Sequence, residues 1–261
     1  MSPDSFFDGG KYNADLDAAL RHALEMIRDG AEIIDVGGES TRPHATPVPA
    51  EIELKRVIPV IKLIRENNRD ILISIDTMKP DVAEAAVHAG ADIINDVSGL
   101  SDQRLLDVAR ETGAGLVLMH GYSRHSGKID VPSQGDIASQ IDAGIMCLIE
   151  QSLDNGICMH QICVDPGFGF GKKNGENLEV LYSIPLLAEK TQSPVLAGVS
   201  GKHFVESIYD KYDCSIPAEA QKDKLSASLR LAVAAYERGA KIFRVHNVLD
   251  TCTIFKNILK S

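Results

Sequence analysis

Short apolar runs recur along this chain, and each stops on a polar side chain: EIIDVGG on Asp35, ILISIDT on Asp76, DIINDV on Asn95, LVLMH on His120, ICVDPG on Asp165 and IFRVH on Arg244 and His246. Between them lie longer stretches whose apolar residues fall three and four apart, the spacing of one helix face. The pattern predicts helices over about 14–29, 51–66, 80–89, 102–112, 134–155, 177–190 and 217–238, and a last one over 248–260. It predicts strands over 32–36, 71–75, 92–95, 115–120, 161–165, 194–200 and 241–246. Gly30, Gly90, Gly113 and Gly239, each followed by alanine, stand where a helix stops and the next strand begins. Glycine accepts the left-handed conformation that such a stop requires. Helices and strands alternating at this spacing imply right-handed crossovers and a parallel sheet.

Closed into one barrel, these strands would gather their polar ends at the carboxyl-terminal mouth, where (β/α)8 enzymes carry their chemistry. The expected fold class is therefore α/β, a (β/α)8 TIM barrel. The strand count is seven, and the chain opens on Met1, Ser2, Pro3 and Asp4 as a loop leaving a strand would, so the first strand is expected to be missing. An open, doubly wound sheet of seven strands is the alternative, although no glycine-rich dinucleotide fingerprint follows the first strand. A length of 261 residues with 44% hydrophobic content suits one core, hence a single domain over 1–261.

Composition narrows the partners. A net charge of −10 disfavours a nucleic-acid backbone, and no basic stripe overrules it. There is no apolar stretch of about 20 residues for a membrane span and no charged-then-apolar leader, so a cytoplasmic location is expected. The five cysteines are odd in number and scattered, as reduced thiols would be. Cys158, His160 and Cys163 lack a second ligand pair at zinc-finger spacing.

The motifs are more specific than the composition. SPDSFFDGG (2–10), DVGGESTRP (35–43), SIDT (74–77), NDVSG (95–99), LMH (118–120), DPGFGFGK (165–172), VSGK (199–202) and RVHNV (244–248) stand in the order seen in one family. Together they span nearly the whole chain, and it resembles the dihydropteroate synthases, a family of pterin-binding enzymes. The resemblance implies a barrel that condenses 6-hydroxymethyl-7,8-dihydropterin diphosphate with 4-aminobenzoate, giving 7,8-dihydropteroate and pyrophosphate for folate synthesis.

It also implies roles. A reduced pterin presents an edge of amino and ring N–H donors, which a carboxylate accepts as a fork. Asp165 matches the residue for that fork; Asp76, Asn95, Val97, Met119 and Lys202 would complete the pterin contacts. An Asp before Pro-Gly is also a turn former, and an Asn ending an apolar run also a cap. Arg244 and His246, two apart on the last strand and so on one face, would cradle the diphosphate. Thr41, Pro43, Phe170 and Lys202 would line the aminobenzoate pocket. Asp8, Arg42 and Lys202 are the implied catalytic residues, Asp8 facing a pterin-stabilised cation formed as the carbon–oxygen bond breaks. Magnesium is the implied cofactor, bridging the diphosphate. Homodimers are common in the family, and sulfonamides target it.

Three positions depart from the family pattern. The asparagine that ordinarily helps to hold the metal would lie just before Met1, so no metal ligand is assigned in this chain. Gly201 stands where the family usually has arginine. Asn247 replaces an aspartate, and with it a charge expected to orient His246. A pterin-binding paralogue with weak or no synthase activity is the alternative these departures raise; a related pterin-binding methyltransferase fits the Ser40–Thr41–Arg42–Pro43 loop less well.

Overall fold

The structure, a computed structural model, describes residues 12–40, 46–121, 136–172, 174–200 and 224–259. Helix α1 (Tyr12–Asp29) leads into β1 (Ile33–Gly37), and the unit then repeats as α2 (Ala50–Asn67), β2 (Leu72–Asp76), α3 (Pro80–His88), β3 (Ile93–Asp96), α4 (Arg104–Thr112) and β4 (Gly115–Met119). It continues through α5 (Ile137–Asp154), a 3-10 turn (Met159–Gln161), β5 (Ile162–Asp165), α6 (Asn174–Thr191), β6 (Leu196–Ala197), α7 (Lys224–Glu237), β7 (Ile242–Phe243) and α8 (Val248–Ile258). The strands read as unbroken apolar runs because both of their faces are covered. Ile73, Ile75, Ile94, Leu116, Leu118 and Val164 are all fully buried.

All of the strand pairs are parallel. β1 to β5 form one sheet in sequence order, β6 and β7 a second. A bridge between Val164 and Val195 joins the two, with the Val164 amide donating to Pro194 O at 3.0 Å. In that order β1 and β7 lie at opposite ends, yet Arg244, just past β7, reaches Asp35 of β1 at 3.0 Å and Asp76 of β2 at 2.8 Å. Behind them α8 packs beside α1, with Cys252 Sγ 3.4 Å from Gly30 O. The sheet therefore curls until its ends meet, as in a TIM barrel. The doubly wound alternative is excluded, since its strand order would reverse at a switch point. Among the described residues no strand lies between β7 and β1.

Two predicted strands are shorter than expected. Over 194–200 and 241–246 the formal ladder keeps only Leu196–Ala197 and Ile242–Phe243. β7 has a described partner on one side alone, and Pro194 offers no amide to a ladder. Arg244 N still donates to Ala197 O at 3.2 Å, which sets where the chain leaves the sheet. The helix expected over 217–238 is described from Lys224 onward.

The register aligns strand ends. Asp76 stands opposite Asn95, and Met119 opposite Asp165, so these positions share the carboxyl end of the barrel. The amino end is held by Arg65 of α2. Its guanidinium donates to Arg69 O and Ile71 O, each at 2.8 Å, and to Gly90 O at 2.7 Å, and meets Asp92 Oδ2 at 2.6 Å. That carboxylate oxygen also accepts from Ile73 N at 2.8 Å.

Candidate functional site

At the carboxyl end the chain's polar strand ends converge. Asp76 finishes β2 and Asp35 lies in β1; the Arg244 guanidinium sits between them, donating through Nη2 to Asp76 Oδ2 at 2.8 Å and facing Asp35 Oδ2 through Nε at 3.0 Å. Asp76 is only 7% exposed, and its other oxygen, Oδ1, is buried with no hydrogen-bond partner among the described residues. Burial pushes this carboxyl up to about 7, against the lowering pull of Arg244, and the Asp35 carboxylate adds to the rise. Asp76 in turn holds the Arg244 guanidinium above its ordinary value, with Asp35 and Asp165 contributing. Asn95, also buried, points its amide toward Asp35 Oδ1 at the long distance of 3.5 Å. A buried carboxylate oxygen without a protein donor is an uncommon arrangement that calls for an explanation.

The loops after β3, β4 and β5 build the adjoining wall. Asp96, one residue beyond the expected end of β3, is buried and organises the first of these loops. Its Oδ1 accepts from Ser98 N and Ser98 Oγ, at 2.8 and 2.6 Å, and its Oδ2 from Leu100 N at 2.6 Å. These bonds hold Leu100 at a φ of +58°, unusual for a branched residue, and fix Val97 beside the mouth. Asp165 does form the turn that an Asp before Pro-Gly suggests: its Oδ1 accepts from Gly167 N at 2.7 Å. His120, at the end of β4, is buried, and burial together with the nearby Lys172 charge lowers its pKa to about 3. Burial thus favours its neutral imidazole form.

Met119, Val97 and Phe170 meet around Gly121. A Cβ on that glycine would come within 2.9 Å of Met119 Cε, 3.6 Å of Val97 O and 3.7 Å of Phe170 Cβ. The structure thus places Asp76, Asn95, Val97, Met119, Asp165, Phe170 and Arg244 about the strand ends of one barrel mouth. The period-two argument that set Arg244 and His246 on one face does not apply, because β7 ends at Phe243. Arg244 turns to the carboxylates, whereas His246 is exposed and places Nδ1 3.2 Å from Ser200 Oγ. Asn247 serves as the N-cap of α8, its Oδ1 accepting from Asp250 N at 3.0 Å and its Nδ2 donating to Asp250 Oδ2 at 2.8 Å. Its side chain is therefore engaged with the helix. Asp8, Thr41, Arg42, Pro43, Gly201 and Lys202 lie outside the described residues.

Two lysines that the sequence reading passed over also serve this end. Lys79, after β2, bridges Glu39 in the DVGGESTRP segment and the fully buried Glu53 of α2. Lys172, the last residue of DPGFGFGK, buries its ammonium among backbone carbonyls. The signal for Lys172 was present as a cation closing a motif otherwise made of Asp165, Pro166, glycine and phenylalanine.

The pterin binding enzyme family model matches residues 1–246. The chain is similar to the dihydropteroate synthase of Escherichia coli K12, 39% identical over 253 residues, which cover 96% of this chain and 85% of that protein. It is similar to that of Streptococcus pyogenes serotype M1, 41% identical over 249 residues, which cover 95% of this chain and 88% of that protein. Among solved structures, the Xanthomonas albilineans dihydropteroate synthase with 4-aminobenzoic acid superposes with a TM-score of 0.84 at 36% identity, covering 100% of this chain and 90% of that one. The same enzyme in complex with 7,8-dihydropteroate gives a TM-score of 0.81 at 33% identity, covering 99% of this chain and 90% of that one. The Yersinia pestis enzyme in a sulfonamide drug complex gives 0.82 at 35% identity, covering 100% and 92%.

Proposed function

This chain belongs to the pterin binding enzyme family, and on that footing we propose that its barrel mouth is the site of a dihydropteroate synthase. It is a transferase that condenses 6-hydroxymethyl-7,8-dihydropterin diphosphate with 4-aminobenzoate, giving 7,8-dihydropteroate and pyrophosphate in folate biosynthesis. Its relatives include enzymes solved with 4-aminobenzoic acid, with 7,8-dihydropteroate and with a sulfonamide drug.

Asp76 carries the reading of the pterin subsite. Its buried Oδ1, without a partner among the described residues, would be matched by a ring N–H of the pterin. Asn95 donates and accepts beside it, Asp165 and Lys202 take the rest of the heterocycle's edge, and Val97 and Met119 supply apolar contact. Thr41, Pro43 and Phe170 hold the aminobenzoate ring so that its amine faces the pterin methylene carbon. There the C–O bond breaks first, its electron pair leaving with the diphosphate; the amine nitrogen then attacks the cationic carbon to form the C–N bond and loses a proton. Asp8 stabilises the cationic carbon, Arg42 orders the loop over it, and Lys202 reaches both subsites. Arg244 and His246 neutralise the departing anion. For Arg244 this requires the guanidinium to hold Asp76 with Nη2 while turning another N–H outward, which its five donors allow.

Magnesium enters this reading with the diphosphate. Among the described residues no group of three or more His, Cys, Asp or Glu side chains is arranged to hold an ion. An ion ligated mainly by phosphate oxygens and water needs no such cage. The protein is further proposed to be a cytoplasmic homodimer. No described helix is long and apolar enough to cross a membrane, and exposed Tyr182 and Leu186 on α6 and Leu249 on α8 supply apolar surface for a second copy.

Incubating the protein with both substrates and magnesium should release pyrophosphate only when aminobenzoate is present. No release above buffer, with pterin binding intact in calorimetry, would overturn the synthase and leave a pterin-binding paralogue.

A further inference from the structure

Lys172 is 7% exposed, an unusual place for an ammonium. Its Nζ donates to His120 O at 3.0 Å and to Gly167 O at 2.9 Å, and lies 3.5 Å from Phe170 O. The first of these carbonyls belongs to the end of β4; the other two belong to the loop after β5. Gly167 has a φ of +73°, and a Cβ there would stand 1.9 Å from His120 O, so the two segments touch through bare backbone. The loop is secured on its far side by Asn177 of α6. That buried side chain accepts from Gly169 N at 2.7 Å and donates to Lys172 O at 3.3 Å.

We propose that Lys172 is a positioning residue of the synthase: its ammonium clasps the β5 loop to the end of β4 and so sets Phe170 against Met119, where the two substrates meet. The inference rests on the reading of Phe170 and Met119 as substrate contacts. The physical case lies in what each partner lacks alone. His120 O and Gly167 O both face the Lys172 ammonium, and carbonyls converging on one point repel one another unless a cation stands there, where a charge-assisted bond is stronger than a neutral one. Phe170 is displayed by a loop containing three glycines of positive φ, Gly167, Gly169 and Gly171, whose backbone is otherwise permissive. Asp165 is less dependent on the clasp, since it ends β5 itself and is paired with Met119 in the sheet.

The test is Lys172→Met, assayed with each substrate varied in turn and with pterin binding measured directly. The expected result is a rise of about tenfold in KM for aminobenzoate, a part of the roughly hundredfold that a misplacement near 1 Å can cost. Pterin affinity should shift less than about twofold on the same argument. Lys172→Ala with added ethylammonium should recover part of the loss, a rescue that general destabilisation would not give. Unchanged aminobenzoate KM in Lys172→Met overturns the proposal, as does an equal loss in every parameter with no rescue. If the methionine variant does not fold, Lys172→Gln, which keeps two N–H donors but loses the charge, should still raise aminobenzoate KM by about threefold, and no rise overturns the proposal. The substrate reading fails separately: Phe170→Ala with unchanged aminobenzoate KM would remove it whatever Lys172 does.

Discussion

Arg65 and Arg244 stand at opposite ends of the same barrel, and each meets an aspartate at hydrogen-bond distance. At the amino end the donors of Arg65 are taken up by the carbonyls of Arg69, Ile71 and Gly90 and by Asp92, whose Oδ2 also holds the Ile73 amide. Everything that hub touches is scaffold. At the mouth, Arg244 is set between two carboxylates, and one oxygen of Asp76 is left buried with no partner among the described residues. The first arrangement is complete within the protein; the second leaves an acceptor that the proposed pterin would complete. A fold that concentrates its unsatisfied chemistry at one end gives up stability there and gains recognition.

Breaking the mouth should cost most. Asp76→Asn is expected to lower kcat/KM by about a thousandfold, because pterin donors would meet a group that is itself partly a donor. Thermal denaturation should show at most a modest loss of stability, since relief of the buried Asp76 carboxylate offsets the weakened pairing of Arg244, which keeps Asp35. The other hub should answer in the reverse sense. Arg65→Ala should destabilise the fold by about 2 kcal/mol in urea titration, a figure held down by the partial exposure of Arg65 and Asp92, with KM for both substrates unchanged.

The smallest effect is set by pH. Folding raises the Asp76 carboxyl to about 7, so its contribution to stability is fully present below the ordinary carboxyl range and is lost as pH rises through about 7. Pterin binding should run the opposite way, because the acceptor is the carboxylate. Calorimetry should show the pterin Kd weakening by up to about tenfold for each pH unit below 7, with the dependence flattened in Asp76→Asn.

The sequence displayed one of these ends far better than the other. Each strand announced itself by an apolar run, and Asp76, Asn95 and Asp165 were visible because a polar residue interrupts such a run at its last position. Closure of the ring was not visible, since the contact between Asp76 and Arg244 joins residues 168 apart, and nothing local encodes it. The same limit hid Arg244's actual neighbours: a two-residue strand has no periodicity to read, and the guanidinium turned to carboxylates instead of following His246. Asp165 showed both of its possible characters, a strand-end carboxylate that also makes the turn to Gly167. The surroundings of Lys79 and Lys172 were illegible for another reason, although the motif that Lys172 closes was visible. Surface and buried lysines look alike in a sequence, and only the folded chain shows which carbonyls or carboxylates surround them.

The meeting of β7 with β1 has a consequence for how the molecule should respond to heat. Elsewhere neighbouring strands are stitched by backbone hydrogen bonds, which are indifferent to what fills the mouth. Across this seam the described side-chain link is Arg244 reaching Asp35 and Asp76, and Arg244 and Asp76 are also the groups proposed to engage a substrate. Occupancy and closure are thus linked through shared atoms: a ligand at a hundred times its dissociation constant adds about 2.7 kcal/mol to the folded state. That gain should be concentrated at the seam, where amide exchange near Arg244 and Asp35 would slow more than at the amino-terminal hub.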